Sequence, residues 1–444
     1  MGVDQKIFFG LKIWAFVALC FVMLHSIKGR KSVSLPLIFF SDLSINHLLG
    51  AIIYVFPWYI PQNGYILNYT AEQVAEGFLQ TSYGLLAFLA GMITLTLIRK
   101  KSPLKVSNQI PLNKMAGKIF GLGALFYFLL KPLTQIPGLS TISTSGWVLM
   151  QCGICLALWD SYRQGNKKRF AVWFTIGLIL FPSYTILTTG AIEFAIKAIL
   201  VIICFVSIFY RPKWHLICAT PLILFVGLTF FVNYMQVRNE IRQAAYSNDV
   251  VKERIEIVKK AYRDKSFFNF RDSRHLELID IRLNQNCFVG MVVDNIEAGL
   301  NDFARGATIV RAVQAMIPRV IWRNKPVIGG GGTLFAEYTG FEIVDDTTFG
   351  VGLPLELYIN FGTTSIVIGL FIMGLIVTWF DGKAAYGLFQ NDSREFLKFF
   401  IPGLAMTRTI ASLSEISSSV ASAFVIFFLV DRFFIRPAAN KRVS

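Results

Sequence analysis

The chain has 444 residues, of which 54% are hydrophobic and only 16% charged, with 41 Phe, a positive mean hydropathy and a net charge of +16. A water-soluble domain carries about 25% charged residues, so that class is excluded. The recurring apolar runs, each close to the ~20 residues that cross a bilayer, predict an all-α polytopic membrane protein.

In chain order the runs predict about eleven spans, with 10–14 the range considered. They lie near 8–27, 44–61, 78–98, 117–133, 145–160, 170–187, 191–210, 215–235, 363–380, 396–410 and 415–431. The first is too long for a signal peptide and lacks a small-residue cleavage site, so it reads as a retained helix. Cys152 and Cys155 form a C-x-x-C inside "VLMQCGICLAL" and read as buried thiols of one helix. Tight helical hairpins are expected around Gly190 and Ala411. Residues 1–235 read as an N-terminal membrane bundle, 236–350 as a large extracytoplasmic loop, and 351–444 as C-terminal spans ending in a basic cytoplasmic tail.

Orientation follows from the basic loops. "RKKSPLKVSNQIPLNKMAGK" from Arg99 has no acid, and "YRQGNKKR", "YRPK" and the tail "DRFFIRPAANKRVS" are also basic. Alternation puts all of them on one side, taken as cytoplasmic. The 236–350 insert, with 16 Lys+Arg against 15 Asp+Glu, falls on the other. Within it, Leu283, Cys287, Met291, Val292, Ile296, Leu300 and Phe303 form one apolar stripe, and Val251, Ile255, Val258 and Tyr262 another. Pro318, Pro326 and the run Gly329–Gly332 then break regular structure.

Candidate site residues cluster at this outer face. Arg238 and Arg242 follow the span ending near Met235, Arg282 opens the first striped helix, and Arg319, Arg323 and Lys325 sit in the break. Arginine presents a planar donor fork that fits phosphate oxygens in pairs; ion pairing with the insert's own acids is the plain alternative, and Arg271, Arg274, Arg305 and Arg311 are assigned to it. Glu356 lies in the apolar stretch "GVGLPLELYINF", and Arg408 and Glu415 flank the last hairpin turn. Ionisable groups near bilayer depth are costly and usually functional. The glycine run reads as a hinge before an anion cradle, since no Lys-Ser/Thr follows it. No residue cluster has metal-ligand spacing, so no metal and no cofactor are expected.

The segment "IPRVIWRNKPVIGGGGTLFAEYTG…DDTTFGVGLPLELYINFGTTSIVIGLF" resembles bacterial polysaccharide polymerases of the O-antigen polymerase (Wzy) type. Pro318-Arg319, Trp322, Lys325-Pro326 and Glu356-x-Tyr358-x-Asn360-Phe361-Gly362 carry the match over about 50 residues; Leu355 departs from it, where a Gly often precedes the Glu. The resemblance implies a GT-C-like membrane glycosyltransferase of the bacterial inner membrane. Its partners would be undecaprenyl-diphosphate-linked oligosaccharides, membrane lipid and a chain-length regulator protein, with no nucleic acid. Arg319, Arg282, Arg238 and Lys325 would then meet the diphosphate, with Arg323 and Arg408 as further substrate-binding residues; Arg238, Arg282, Arg408 and Glu415 are placed by predicted position alone. Glu356 or Glu415 would act as base, with Tyr358 and Asn360 as sugar or orienting contacts. An O-antigen ligase, a lipid-linked-oligosaccharide flippase and an assembly scaffold are the alternatives.

Overall fold

The computed structural model describes residues 1–27, 31–61, 69–98, 112–129, 140–189, 192–209, 214–246, 256, 266–317, 321–322, 324–325, 331–341 and 350–435. All regular structure among them is helical. Among the described residues seven helices are long and apolar enough to cross a bilayer: α1 (Val3–Ser26), α2 (Leu35–Val55), α3 (Ala71–Ile98), α6 (Lys167–Leu187), α8 (the Cys218–Ile241 part of Trp214–Tyr246), α14 (Thr363–Phe389) and α16 (Leu413–Ile435). The other four expected spans also fall on helices: α4 (Leu112–Leu129), α5 (Ser140–Arg163), α7 (Ile192–Val206) and α15 (Ser393–Met406). These are shorter or more polar. The expected hairpin turn at Gly190 lies outside the described residues.

The insert contributes α9 (Ser273–Leu283), α10 (Asn286–Glu297), α11 (Ala307–Ala315) and α12 (Gly331–Thr339), followed by the short α13 (Leu353–Phe361). The expected striped helix is shorter than its stripe: Leu283 ends α9, Cys287 to Ile296 lie on α10, and Leu300 and Phe303 lie beyond it. Asn284 interrupts it, because its Oδ1 accepts the Asn286 N–H and its amide donates to Asp280. Arg282 therefore closes α9 instead of opening α10. Residues Asn286 to Val293 are buried, and α10 packs into α3 so closely that a methyl group on Gly290 would land on the Gln73 carbonyl. Most of the stripe at 251–262 lies outside the described residues.

Polar groups tie one end of the bundle together. Asp381 of α14 accepts the Ser32 hydroxyl and the Val33 and Leu35 N–H groups, each at 3.0 Å, which anchors the start of α2. Arg394 grips Asp431 through two hydrogen bonds of 2.6 and 3.0 Å, and Arg169 pairs with Asp160 at 2.8 Å. Asp392 caps α15 by accepting the Glu395 N–H at 3.0 Å. From this end α15 climbs 14 residues, about 21 Å at 1.5 Å per residue. That is less than a hydrocarbon core of ~30 Å. The break between α15 and α16 therefore comes after a helix too short to cross such a core alone.

Candidate functional site

The break, Thr407 to Ser412, is where separate parts of the chain converge. Two backbone bonds lay residues 352–353 alongside it: Gly352 N–H donates to Ile410 O at 3.0 Å and Leu353 N–H to Thr409 O at 2.7 Å. The N-termini of α13 and α16 thus lie side by side. Pro354 in the first turn of α13 and the Ser412 hydroxyl, which accepts the Glu415 N–H at 3.2 Å, set the two helix starts.

Glu356 projects from the first turn of α13 toward the start of α16. Its Oε2 accepts the Leu413 N–H at 2.5 Å, and it also hydrogen-bonds the Thr308 side chain. The residue is only 3% exposed. Burial pushes its carboxyl up to about 7. The Leu413 and Thr308 hydrogen bonds and the Arg311 charge oppose that shift, while the Glu415 charge adds to it. A carboxylate poised near neutrality is suited to taking a proton from a hydroxyl.

Asn360 holds the wall of this site. Its amide donates to Thr308 Oγ1 at 2.7 Å and to the Glu356 carbonyl at 2.7 Å, and its Oδ1 accepts the Gly306 N–H at 3.1 Å. With φ of +92° at Gly306 and +47° at Arg305, the chain turns sharply here to start α11. Both amide hydrogens of Asn360 are engaged, so it orients Thr308 against α13. Tyr358 is buried on the same helix, with its ring 6.3 Å from that of Phe303.

On the other side of the break, Arg408 reaches Glu193 at 3.8 Å. Beneath them lies a buried ion pair that sequence reasoning missed. Lys197 of α7 meets Asp42 of α2 at 3.1 Å and donates to the Thr407 carbonyl, while Asp42 accepts the Thr409 N–H and hydroxyl, both at 2.8 Å. Lys197 in the run "AIEFAIKAIL" was the available signal. Asp42 was hidden because the expected span began at residue 44, after the polar "SDLS". Its burial is tolerated because both its acceptor oxygens are paired.

The site therefore gathers Glu356, Glu415 and Arg408 from the expected set, along with Tyr358 and Asn360 on α13. It adds Thr308, Arg311, Glu193, Asp42 and Lys197. Arg311, assigned above to plain ion pairing, acts electrostatically on Glu356. Lys325 instead stands at the end of α11, donating to the Ala315 and Ile317 carbonyls at 3.0 Å each. Arg282 is an exposed neighbour of Asp280, whose carboxylate accepts Tyr54 and Tyr59 hydroxyls at 2.9 and 2.6 Å. Arg238 is half-buried on α8. Arg319 and Arg323 lie outside the described residues, as does the side chain of Arg242. Among the described residues no group of His, Cys, Asp and Glu is arranged to hold a metal ion.

A family model described as "Domain of unknown function (DUF8712)" matches residues 44–390. The chain belongs to this family. No curated protein and no solved structure matched it. The matched region of the DUF8712 chain takes in Lys197, Thr308, Glu356 and Asn360 and stops before Arg408 and Glu415.

Proposed function

We propose that this DUF8712 protein is a GT-C-like glycosyltransferase with about eleven crossings of the bacterial inner membrane, and that it polymerises undecaprenyl-diphosphate-linked oligosaccharides at the extracytoplasmic face. The observation that supports this reading most is Glu356: a buried carboxylate, raised to about 7, held against the start of α16 with the Arg311 charge acting on it. In the reaction an acceptor hydroxyl oxygen attacks the anomeric carbon of the donor. The bond from that carbon to the diphosphate breaks, and the electron pair leaves with the lipid diphosphate. Glu356 takes the hydroxyl proton. Cationic side chains, with Arg319 assigned by resemblance, stabilise the charge developing on the leaving group. Glu415 is the competing base. A chain-length regulator is the protein partner that this reading implies.

One observation favours a second reading. A buried Lys197–Asp42 pair inside a membrane bundle is also a feature of transport pathways, which would fit a flippase for the same lipid-linked sugars. Deletion of the gene with analysis of lipid-linked and surface glycans separates the readings. Loss of a polymerase leaves single repeat units at the outer face, and loss of a ligase leaves long chains on the carrier. Loss of a flippase traps units on the cytoplasmic leaflet.

A further inference from the structure

Helix α11 carries a face that no described residue of the insert covers. Thr308, Ala312 and Ala315 are buried, whereas Val310 and Val313 are 57% and 61% exposed and Ile309 and Met316 are exposed beside them. The only charge on α11 is Arg311, so this is not the solvated face of a soluble helix. The depth of α11 follows from its contacts. Thr308 and Arg311 act on Glu356, and Glu356 bonds Leu413 at the α15–α16 break. That break follows 14 residues of α15, about 21 Å from the Asp392 cap and short of the ~30 Å that a hydrocarbon core spans. From there α11 packs along α16, a helix apolar enough to span the bilayer. Exposure on α16 is partial from Leu413 to Ser422, apart from buried Ile416, and becomes open at Val425, Phe428 and Leu429. The bare face of α11 therefore continues the apolar outer surface of a spanning helix. The far end of α11 is also sealed. The Ala315 and Ile317 carbonyls receive the Lys325 ammonium, which satisfies helix-end carbonyls without water.

We infer that α11 is an embedded membrane helix whose Ile309–Val310–Val313–Met316 face contacts the acyl chains of the outer leaflet, making it the lipid-side wall of the Glu356 site. The partner is bilayer lipid, not a soluble protein or a second copy.

The test uses the full chain in phosphatidylcholine proteoliposomes. Cys218 and the half-buried Cys20 are replaced by Ser, and a bimane probe is placed on Val313→Cys or, independently, Val310→Cys. Lipid carrying brominated acyl chains should quench both probes, with iodide in the buffer having little effect. Arg274→Cys, on the exposed side of α9, should show the reverse. Iodide quenching at positions 310 and 313 would place the face in water and overturn the inference. Protection from both quenchers would also overturn it, because protein would then cover the face. Elution as one species, matching the unlabelled chain, shows that each variant is folded.

Discussion

The Leu413 N–H donates to the Glu356 carboxylate at 2.5 Å, joining side chain and backbone 57 positions apart. Glu356 thereby fills one of the free N–H groups at the start of α16, where the helix dipole favours a negative charge. Its burial acts in the opposite sense and wins, since the carboxyl is raised to about 7. The same contact therefore closes a helix and leaves a group that titrates near neutrality.

Glu356→Gln follows from that conflict. The native carboxyl titrates near 7 and an unfolded one near 4.5. The folded state thus holds the extra proton between those values, and stability falls as pH rises through the window. The Gln variant, which can still accept the Leu413 N–H, should flatten this slope when thermal unfolding in detergent is followed from pH 4.5 to 8. In a reconstituted transfer assay it should bind donor but not turn over, while wild-type activity should rise with pH through about 7. Turnover that survives in Glu356→Gln and is lost in Glu415→Gln would move the base to α16.

The buried pair makes a separate prediction. Lys197→Met leaves Asp42 buried with one partner lost, a change that typically costs about 3–5 kcal/mol. Adding Asp42→Asn removes the stranded charge and keeps an oxygen for the Thr409 N–H and hydroxyl. The double variant should therefore unfold at a higher temperature than Lys197→Met alone. If the two variants melt together, Asp42 does not depend on Lys197.

Close helix approach is testable at glycine. A methyl group on Gly290 would meet the Gln73 carbonyl, whereas one on Gly227 meets nothing within 4 Å. Gly290→Ala should force α10 off α3 and cost roughly 1–3 kcal/mol. Gly227→Ala in α8 should be neutral or gain up to ~1 kcal/mol from helix propensity. Equal melting temperatures for the two variants would mean that α10 can shift without penalty.

The apolar runs announced the helices because a bilayer demands length and hydropathy that a sequence displays openly. Glu356 was legible for the same reason, as a carboxylate in "LPLELYINF" with no local partner. The partners of that carboxylate were not legible. Thr308 and Arg311 reach it only because Asn360 folds the Gly306 turn against α13, and Leu413 reaches it only because residues 352–353 pair with 409–410. These are long-range backbone registrations, which leave no periodic trace. Asp42 was missed because an acid counts against a membrane span when its cation lies far away in sequence, here at Lys197.

Orientation gives the last prediction. The acid-free basic loop from Arg99 and the cationic turn around Lys167 belong on one side by the positive-inside rule. Gln164 lies in that turn, beside the end of the bundle held by Arg169–Asp160 and Arg394–Asp431. Thr333, exposed on α12, belongs to the insert expected on the other side. Single cysteines at Gln164 and Thr333, in a background lacking Cys20 and Cys218, should therefore respond oppositely to a membrane-impermeant thiol reagent. In intact cells with a permeabilised outer barrier, Thr333→Cys should label and Gln164→Cys should label only after the inner membrane is opened. The reversed pattern would put Glu356 and the helix break at the cytoplasmic leaflet, where a transferase acting on outward-facing lipid-linked sugars could not use them. Labelling of both sites in intact cells would instead show that the basic turn does not set the topology.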